Sequence, residues 1–307
     1  MSEITVSVGG YAPVGSTHSQ ALDHFRDRFL AEVDGAADVD VDLVYNIMDQ
    51  GRPATDLFAL VEKGDLTWCY YSTAYLGDDV PVLNALEIPY LFDSLADAHR
   101  ALDGPFGKRL GEEITAALGY EVLGFWDNGF RHLTNRERSI RQPADASGLT
   151  IRLQPNAIHK ELVAAWGMKP VTAELSEGIR MIAEGAVEAQ ENPLANSVAY
   201  GVNHRYFTLT GHLYGARGLY ANVDTMAALP TDIAEACRRA ARSAIGFQRR
   251  VAEKYERELH NRLVAEGREV IVLSDAENEE FKIVAGRVIE RARDRAGSEI
   301  LDLIPAA

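Results

Sequence analysis

The sequence predicts an α/β protein of two lobes, each a mostly parallel sheet flanked by helices. Two observations carry this. Between residues 148 and 193 the pattern runs strand–helix–strand–helix–strand. Alternation that tight points to parallel strands joined by crossover helices in a doubly wound sheet. The chain also has 307 residues, beyond the ~250–300 at which one hydrophobic core stops growing.

The elements follow in order. Ile4, Val6 and Val8 alternate with polar residues over positions 3–10, a period-2 strand. The turn Pro13-Val14-Gly15-Ser16 leads into a helix whose apolar face carries Leu22, Phe25 and Phe29. Ser16, Thr17 and His18 lie in this crossover, where backbone N–H groups meet anions; Ser16 or Thr17 equally suits an N-cap. Residues 40–45 form a second strand, and a helix from about residue 53 ends at Gly64 with Arg52 at its start, facing solvent or a ligand. The apolar run 66–71 is a third strand, continuing through 72–76. Its carboxyl end, where open α/β sheets bind ligands, holds Tyr70, Tyr71 and Ser72. Two helices broken at Gly104-Pro105 and a strand over 121–126 come next.

In the central stretch Leu149, Ile151 and Leu153 alternate with Thr150, Arg152 and Gln154. Asn156 caps a helix bearing Leu162, Val163 and Trp166, which Gly167 stops. Residues 169–171 form a strand, and Thr172 caps a helix with Leu175, Ile179 and Ile182 on one face, ending at Gly185. A third strand is expected over 186–189, with Pro193 in the first turn of the next helix. Arg152 and Gln190-Glu191-Asn192-Pro193 thus fall at strand carboxyl ends. A short helix over 195–202, a strand over 206–213 and the segment Tyr214 to Asn222 follow. Then come a helical run over 230–266, longer than globular helices usually are, a strand over 269–273 and a last helix over 278–297.

The net charge of −15 argues against nucleic acid and anionic membrane surfaces as partners. No apolar run approaches the ~18–20 residues that span a bilayer, so no membrane insertion is expected. The first twenty residues hold no Lys or Arg and no apolar core, so the chain reads as cytosolic or as a mature protein whose leader Met1 replaces. Cys69 and Cys237 read as separate buried thiols, with a disulfide between them left open by their distance in sequence. G-x-S-x-G, H-E-x-x-H, G-x-G-x-x-G and P-loop motifs are absent, and none of the eight histidines has metal-ligand spacing to another His or Cys. No cofactor or metal is expected.

GLTIR at 148–152, followed by EAQENP at 188–193, resembles the DctP-type extracytoplasmic solute-binding proteins of TRAP transporters. Ser176-Glu177, Gly185, Val187 and Gln190 to Pro193 stand at matching places; Glu188 and Ala189 replace the usual Asp and Gly. Gly64 to Thr67, Glu87 to Phe92 (read as packing for the first lobe), Phe125 to Asn135 and Arg141 to Asp145 match further landmarks. The resemblance covers nearly the whole chain. It implies a two-lobed, periplasmic-binding-protein-like fold with a long helix across both lobes. Lobe I takes 1–128 and 218–257, lobe II 129–217 and 258–307. It also implies a monomeric periplasmic protein, without enzymatic activity, that captures a small organic acid between its lobes, closes by a hinge and delivers it to membrane permease subunits.

A guanidinium offers a carboxylate two parallel donors and stays charged when buried. On the resemblance, Arg152 takes this role, with Asn192 adding a hydrogen bond and Arg131 approaching the ligand or bracing Arg152. His18, Tyr71, Ser72, Asn156 and Tyr214 complete the expected ligand-binding set. Tyr70, Tyr71, Trp126, Tyr214 and Tyr220 suit either an aromatic pocket wall or the core. With Arg152 the one clear cation, the reading leans to a monocarboxylate; Arg52, Arg131 or Arg217 are candidates for a second charge. An enzyme or a ligand-sensing domain on the same fold is the alternative.

Overall fold

A computed structural model describes residues 4–33 and 39–306. In chain order the elements are β1 (Ile4–Gly9), α1 (Thr17–Glu32), β2 (Val39–Val44), α2 (Asp56–Glu62), β3 (Trp68–Ser72), α3 (Leu95–Leu102), α4 (Pro105–Leu118), β4 (Tyr120–Asn135), α5 (Pro143–Ala146), β5 (Thr150–Leu153), α6 (Ala157–Ala165), β6 (Lys169–Thr172), α7 (Leu175–Ala183), β7 (Ala189–Asn192), α8 (Leu194–Tyr200), β8 (Tyr206–Asn222), α9 (Val223–Ala228), α10 (Thr231–Ala265), β9 (Glu269–Val272), α11 (Asp275–Ala296) and α12 (Ser298–Leu301). Glu3, expected in the first strand, lies outside the described residues. No helix among the described residues is long and apolar enough to cross a membrane.

The chain divides into two compact units. The first comprises Met1–Ser72, Gly107–Asp127 and Arg217–Glu253, the second Thr73–Phe106, Asn128–Ala216 and Lys254–Ala307. Strands β4 and β8 and the long helix α10 each contribute residues to both. Residues 73–106, expected with the first lobe, fall in the second unit. Long-range contacts explain this: Glu87 hydrogen-bonds His159, and the 3-10 turn Pro81–Ala85 packs on α11.

In the first unit β1 lies parallel between β2 and β3, and the Arg217 to Ala221 end of β8 runs antiparallel along β3. Helix α1 starts at Ser16, whose hydroxyl accepts from the Ser19 amide. It buries Leu22, Phe25 and Phe29, with Phe25 edge-on to Trp68. Strand β3 does not continue past Ser72; residues Thr73–Leu76 coil into a 3-10 turn.

In the second unit β5 lies parallel between β6 and β7. Strand β7 runs antiparallel to the His132 to Asn135 end of β4, and β9 pairs with the start of β8. Ile151 and Leu153 of β5 join Leu162, Trp166, Phe281 and Ala285 in one buried cluster under α6 and α11. Two expectations are corrected. Strand β7 spans residues 189–192, not 186–189, because Ala189 and Gln190 pair with Ile151 and Arg152. Thr172 ends β6, and α7 is capped instead by Glu174, whose carboxylate accepts from the Ser176 amide. The doubly wound reading therefore holds for β5, β6 and β7, while β4 and β8 add antiparallel partners.

Candidate functional site

Arg152 lies in β5, within the second unit. Residues alternate across a strand, so with Ile151 and Leu153 committed to the apolar cluster, Arg152 projects from the opposite face. It is 3% exposed. Its Nη2 donates to the Ala173 carbonyl at 2.7 Å, while Nε has no hydrogen-bond partner. The Tyr75 hydroxyl also hydrogen-bonds this guanidinium, and burial raises the Tyr75 pKa above its ordinary value. No carboxylate pairs with Arg152 among the described residues. Gly178 in α7 makes the space: a Cβ there would lie 2.2 Å from Arg152 Nε.

Beside β5, a buried ionic network braces β7. Arg131 grips Glu191 with Nε to Oε2 at 2.5 Å and Nη2 to Oε1 at 2.7 Å, and Nη2 also reaches the Glu191 carbonyl at 2.9 Å. His159 Nε2 sits 2.6 Å from Glu87, its Nδ1 lies 3.7 Å from Glu191, and His212 Nε2 is 3.5 Å from Glu191. All five side chains are at most 2% exposed. Burial alone would raise the Glu191 carboxyl, but Arg131 and the two histidines outweigh it and hold the group well below its ordinary value. Burial alone would lower His159, but the neighbouring Glu191 and Glu87 carboxylates win and raise it. Arg131 therefore has a structural partner that sequence reasoning did not assign. Because Arg152 pairs in register with Gln190, the clamp on Glu191 fixes the strand next to it.

The other expected residues of the second unit are placed as follows. Asn192 ends β7 and donates to Gln190 Oε1 at 3.1 Å. Asn156 is the α6 N-cap, accepting from Ile158 and His159, and its amide faces Asn84 Oδ1 at 3.3 Å. Tyr214 is buried and packs edge-on against Phe92 and Phe130.

His18, Tyr71 and Ser72 belong to the first unit. His18 Nε2 lies 3.0 Å from the Asp127 carbonyl and its ring stacks on Tyr70 at 5.3 Å. Burial, then Arg217, hold the His18 pKa well below its ordinary value, so the imidazole is neutral at pH 7. Tyr71 packs against Tyr11 and Phe58. Ser72 pairs with Arg217 across β3 and β8. Arg217 is 2% exposed, with its guanidinium 4.6 Å from the Tyr11 ring centroid and 5.6 Å from that of Tyr70. Tyr70, Trp126 and Tyr220 are buried among other aromatic rings. Arg52 forms an i, i+4 pair with Asp56 at the surface. Cys69 and Cys237 are buried free thiols; burial raises both, Cys237 to about 12.

Comparison with known proteins gives this geometry a context. The model of the DctP family, described as bacterial extracellular solute-binding protein, family 7, matches residues 8–294. The uncharacterized protein y4mM of Sinorhizobium fredii is 34% identical over 222 residues, covering 71% of this chain and 40% of that protein. The 2,3-diketo-L-gulonate-binding periplasmic protein YiaO of Escherichia coli is 27% identical over 214 residues, covering 68% of this chain and 63% of that one. The matches thus span less than two thirds of either relative's length. The sugar acid binding protein DctPAm of Advenella mimigardefordensis, solved in complex with galactonate, shares the fold. Its TM-score is 0.89 at 24% identity, over 97% of this chain and 95% of that chain.

Proposed function

Because the chain belongs to family 7 of the bacterial extracellular solute-binding proteins, we propose that it is the solute-binding component of a TRAP-type transporter. It takes up a small organic acid outside the cytoplasmic membrane and delivers it to the membrane permease. The two compact units are its lobes, and Arg152 holds the ligand carboxylate. One observation carries the reading: Arg152 is 3% exposed, with Nε unpartnered and no acidic partner among the described residues. A buried cation without a counter-ion is costly, so the site is suited to an anion supplied from outside. The planar fork matches a carboxylate, while Ala173 and Tyr75 fix its orientation. The relatives that bind 2,3-diketo-L-gulonate and galactonate support an acid as the ligand class.

The enzymatic alternative asked for a nucleophile or base beside Arg152. The neighbouring ionisable hydroxyl, Tyr75, has its pKa raised by burial, the wrong direction for a base near pH 7. The family itself is one of solute-binding proteins.

A thermal-shift screen against organic, sugar and aromatic acids tests the proposal. A ligand binding only the native state adds ~2.7 kcal/mol at a hundredfold excess over Kd. One acid class is expected to raise the melting midpoint clearly. Shifts from neutral sugars or amines but from no acid would reject the reading.

Gly178→Ala provides a second test. Alanine is favoured over glycine within a helix by about 1 kcal/mol, so helix propensity alone would stabilise α7. The new methyl group, however, would displace the Arg152 guanidinium. Carboxylate affinity is expected to fall about tenfold or more with the circular dichroism spectrum unchanged. Unaltered affinity by calorimetric titration would show that the position of Arg152 does not matter.

A further inference from the structure

Glu256 lies in the part of α10 that belongs to the second unit. Its Oε1 accepts from the Leu194 amide at 3.3 Å, and the Ala195 amide bonds the same carboxylate. These are the first two amides after Asn192-Pro193, where β7 ends and α8 begins. A helix start leaves its first N–H groups without acceptors of its own, and the Pro193 side chain caps nothing. The acceptor comes instead from α10, 62 residues along the chain.

Glu256 also lines a cavity of about 330 Å³, whose other charged or titratable walls are His132, Arg257 and His260. His132 stands opposite Asn192 in the ladder between β4 and β7, and its Nδ1 accepts from the Gly211 amide at 3.0 Å. The chain around Pro193 is thus held on both sides, by His132 across from Asn192 and by Glu256 on Leu194. An acid is a costly choice for this place. Leu259 and Leu263, at i+3 and i+7, share the α10 face of Glu256 and are buried with Leu194 and Phe207. Burial outweighs the two amide bonds and raises the Glu256 carboxyl to about 7. An apolar residue would serve the packing better; what Glu256 adds is an acceptor for the two amides.

Arg152 pairs in register with Gln190. Gln190 and Asn192 point to the same face of β7, so Asn192 is one step further along the face that carries Arg152. We propose that Glu256 is a positioning residue for acid binding: by holding the amides that follow Pro193 it fixes where β7 ends, and with it the place of Asn192. This rests on the reading of Arg152 as the carboxylate site.

The experiment titrates the acid with the largest thermal shift into the unaltered protein, Glu256→Ala, Glu256→Asp, Glu256→Gln and Arg152→Ala. Glu256→Ala removes the acceptor and is expected to weaken binding about tenfold or more. Glu256→Asp keeps the charge but draws the carboxylate back by one methylene, with a similar loss expected. Glu256→Gln keeps an oxygen in place without the charge and is expected to bind within about threefold of the unaltered protein. Melting temperatures give a second readout. The folded Glu256 value of about 7 lies above the unfolded 4.5, so stability from this group is present below pH 4.5 and is lost as pH rises through 7. Glu256→Gln is therefore expected to melt higher than the unaltered protein, by more at pH 8 than at pH 5. A purely structural cap would lower the melting temperature of Glu256→Ala and leave acid affinity unchanged; that result overturns the proposal, as does tighter binding by the Asp variant than by the Gln variant. The second criterion uses the two milder changes, so misfolding of Glu256→Ala cannot conceal failure. Arg152→Ala separates the two claims. Binding lost there but kept in Glu256→Ala removes only Glu256, whereas binding kept in Arg152→Ala removes the carboxylate reading and this proposal with it.

Discussion

Arg152→Ala is expected to abolish tight binding of every carboxylate while leaving the fold intact. Removing one partner of a buried, hydrogen-bonded charge pair costs about 2–5 kcal/mol, or roughly thirty- to several-thousandfold in affinity. Fold retention follows from the strand pattern. Ile151 and Leu153 are the β5 residues in the apolar cluster, while Arg152 donates to a single protein carbonyl. The unliganded variant also loses a buried charge without a counter-ion, so its melting temperature is expected to stay level or rise. Arg152→Lys should bind nearly as poorly as the alanine variant, because an ammonium cannot supply two parallel donors. Either variant binding like the unaltered protein in calorimetric titrations would remove Arg152 from the site.

Glu191→Gln is expected to produce the largest loss of stability. The substitution leaves Arg131 buried and unneutralised and deprives His159 and His212 of the same carboxylate. Breaking one side of a buried ion pair costs about 3–5 kcal/mol, a large part of a typical total of roughly 5–15 kcal/mol. For a domain of this class that corresponds to a fall of about 6–20 °C in melting temperature. Replacing both residues, Arg131→Met with Glu191→Met, should restore part of the loss, since a buried pair exchanged for apolar volume is often neutral. The pH dependence has a defined sign. The folded Glu191 carboxyl is held well below its unfolded value of 4.5. Its contribution is therefore fully present above pH 4.5 and is lost as pH falls through the depressed folded value. A melting temperature for Glu191→Gln within a degree or two of the unaltered protein would refute the clamp.

The parts of this fold that depend on local patterns were legible in the sequence. Period-2 alternation marked β1 and β5. Asn156 and Ser16 announced α6 and α1 through their side-chain caps, and the 35-residue α10 followed from an uninterrupted helical run. What failed depended on distant partners. Gln190, Glu191 and Asn192 do not look like strand residues, yet all three are buried in β7 because β4 and β5 flank them. The Glu87–His159 contact joins residues 72 apart, so no motif could announce it, and with it went the placement of residues 73–106. At the site, Arg152 was legible because its strand-end position and motif coincide. Tyr75 and Gly178 were not, since each matters only through its distance to Arg152. Arg217 stood among several candidate cations, and its burial is a property that no residue pattern reports.

The central claim is that a ligand carboxylate pairs with a buried guanidinium. The most direct measurement compares, for the unaltered protein, the Kd of the acid giving the largest thermal shift with the Kd of its uncharged amide. The amide keeps the size and planarity of the acid but removes its charge. It is expected to bind about a hundredfold more weakly or worse, equivalent to ~2.8 kcal/mol. Equal affinities for acid and amide would contradict the account.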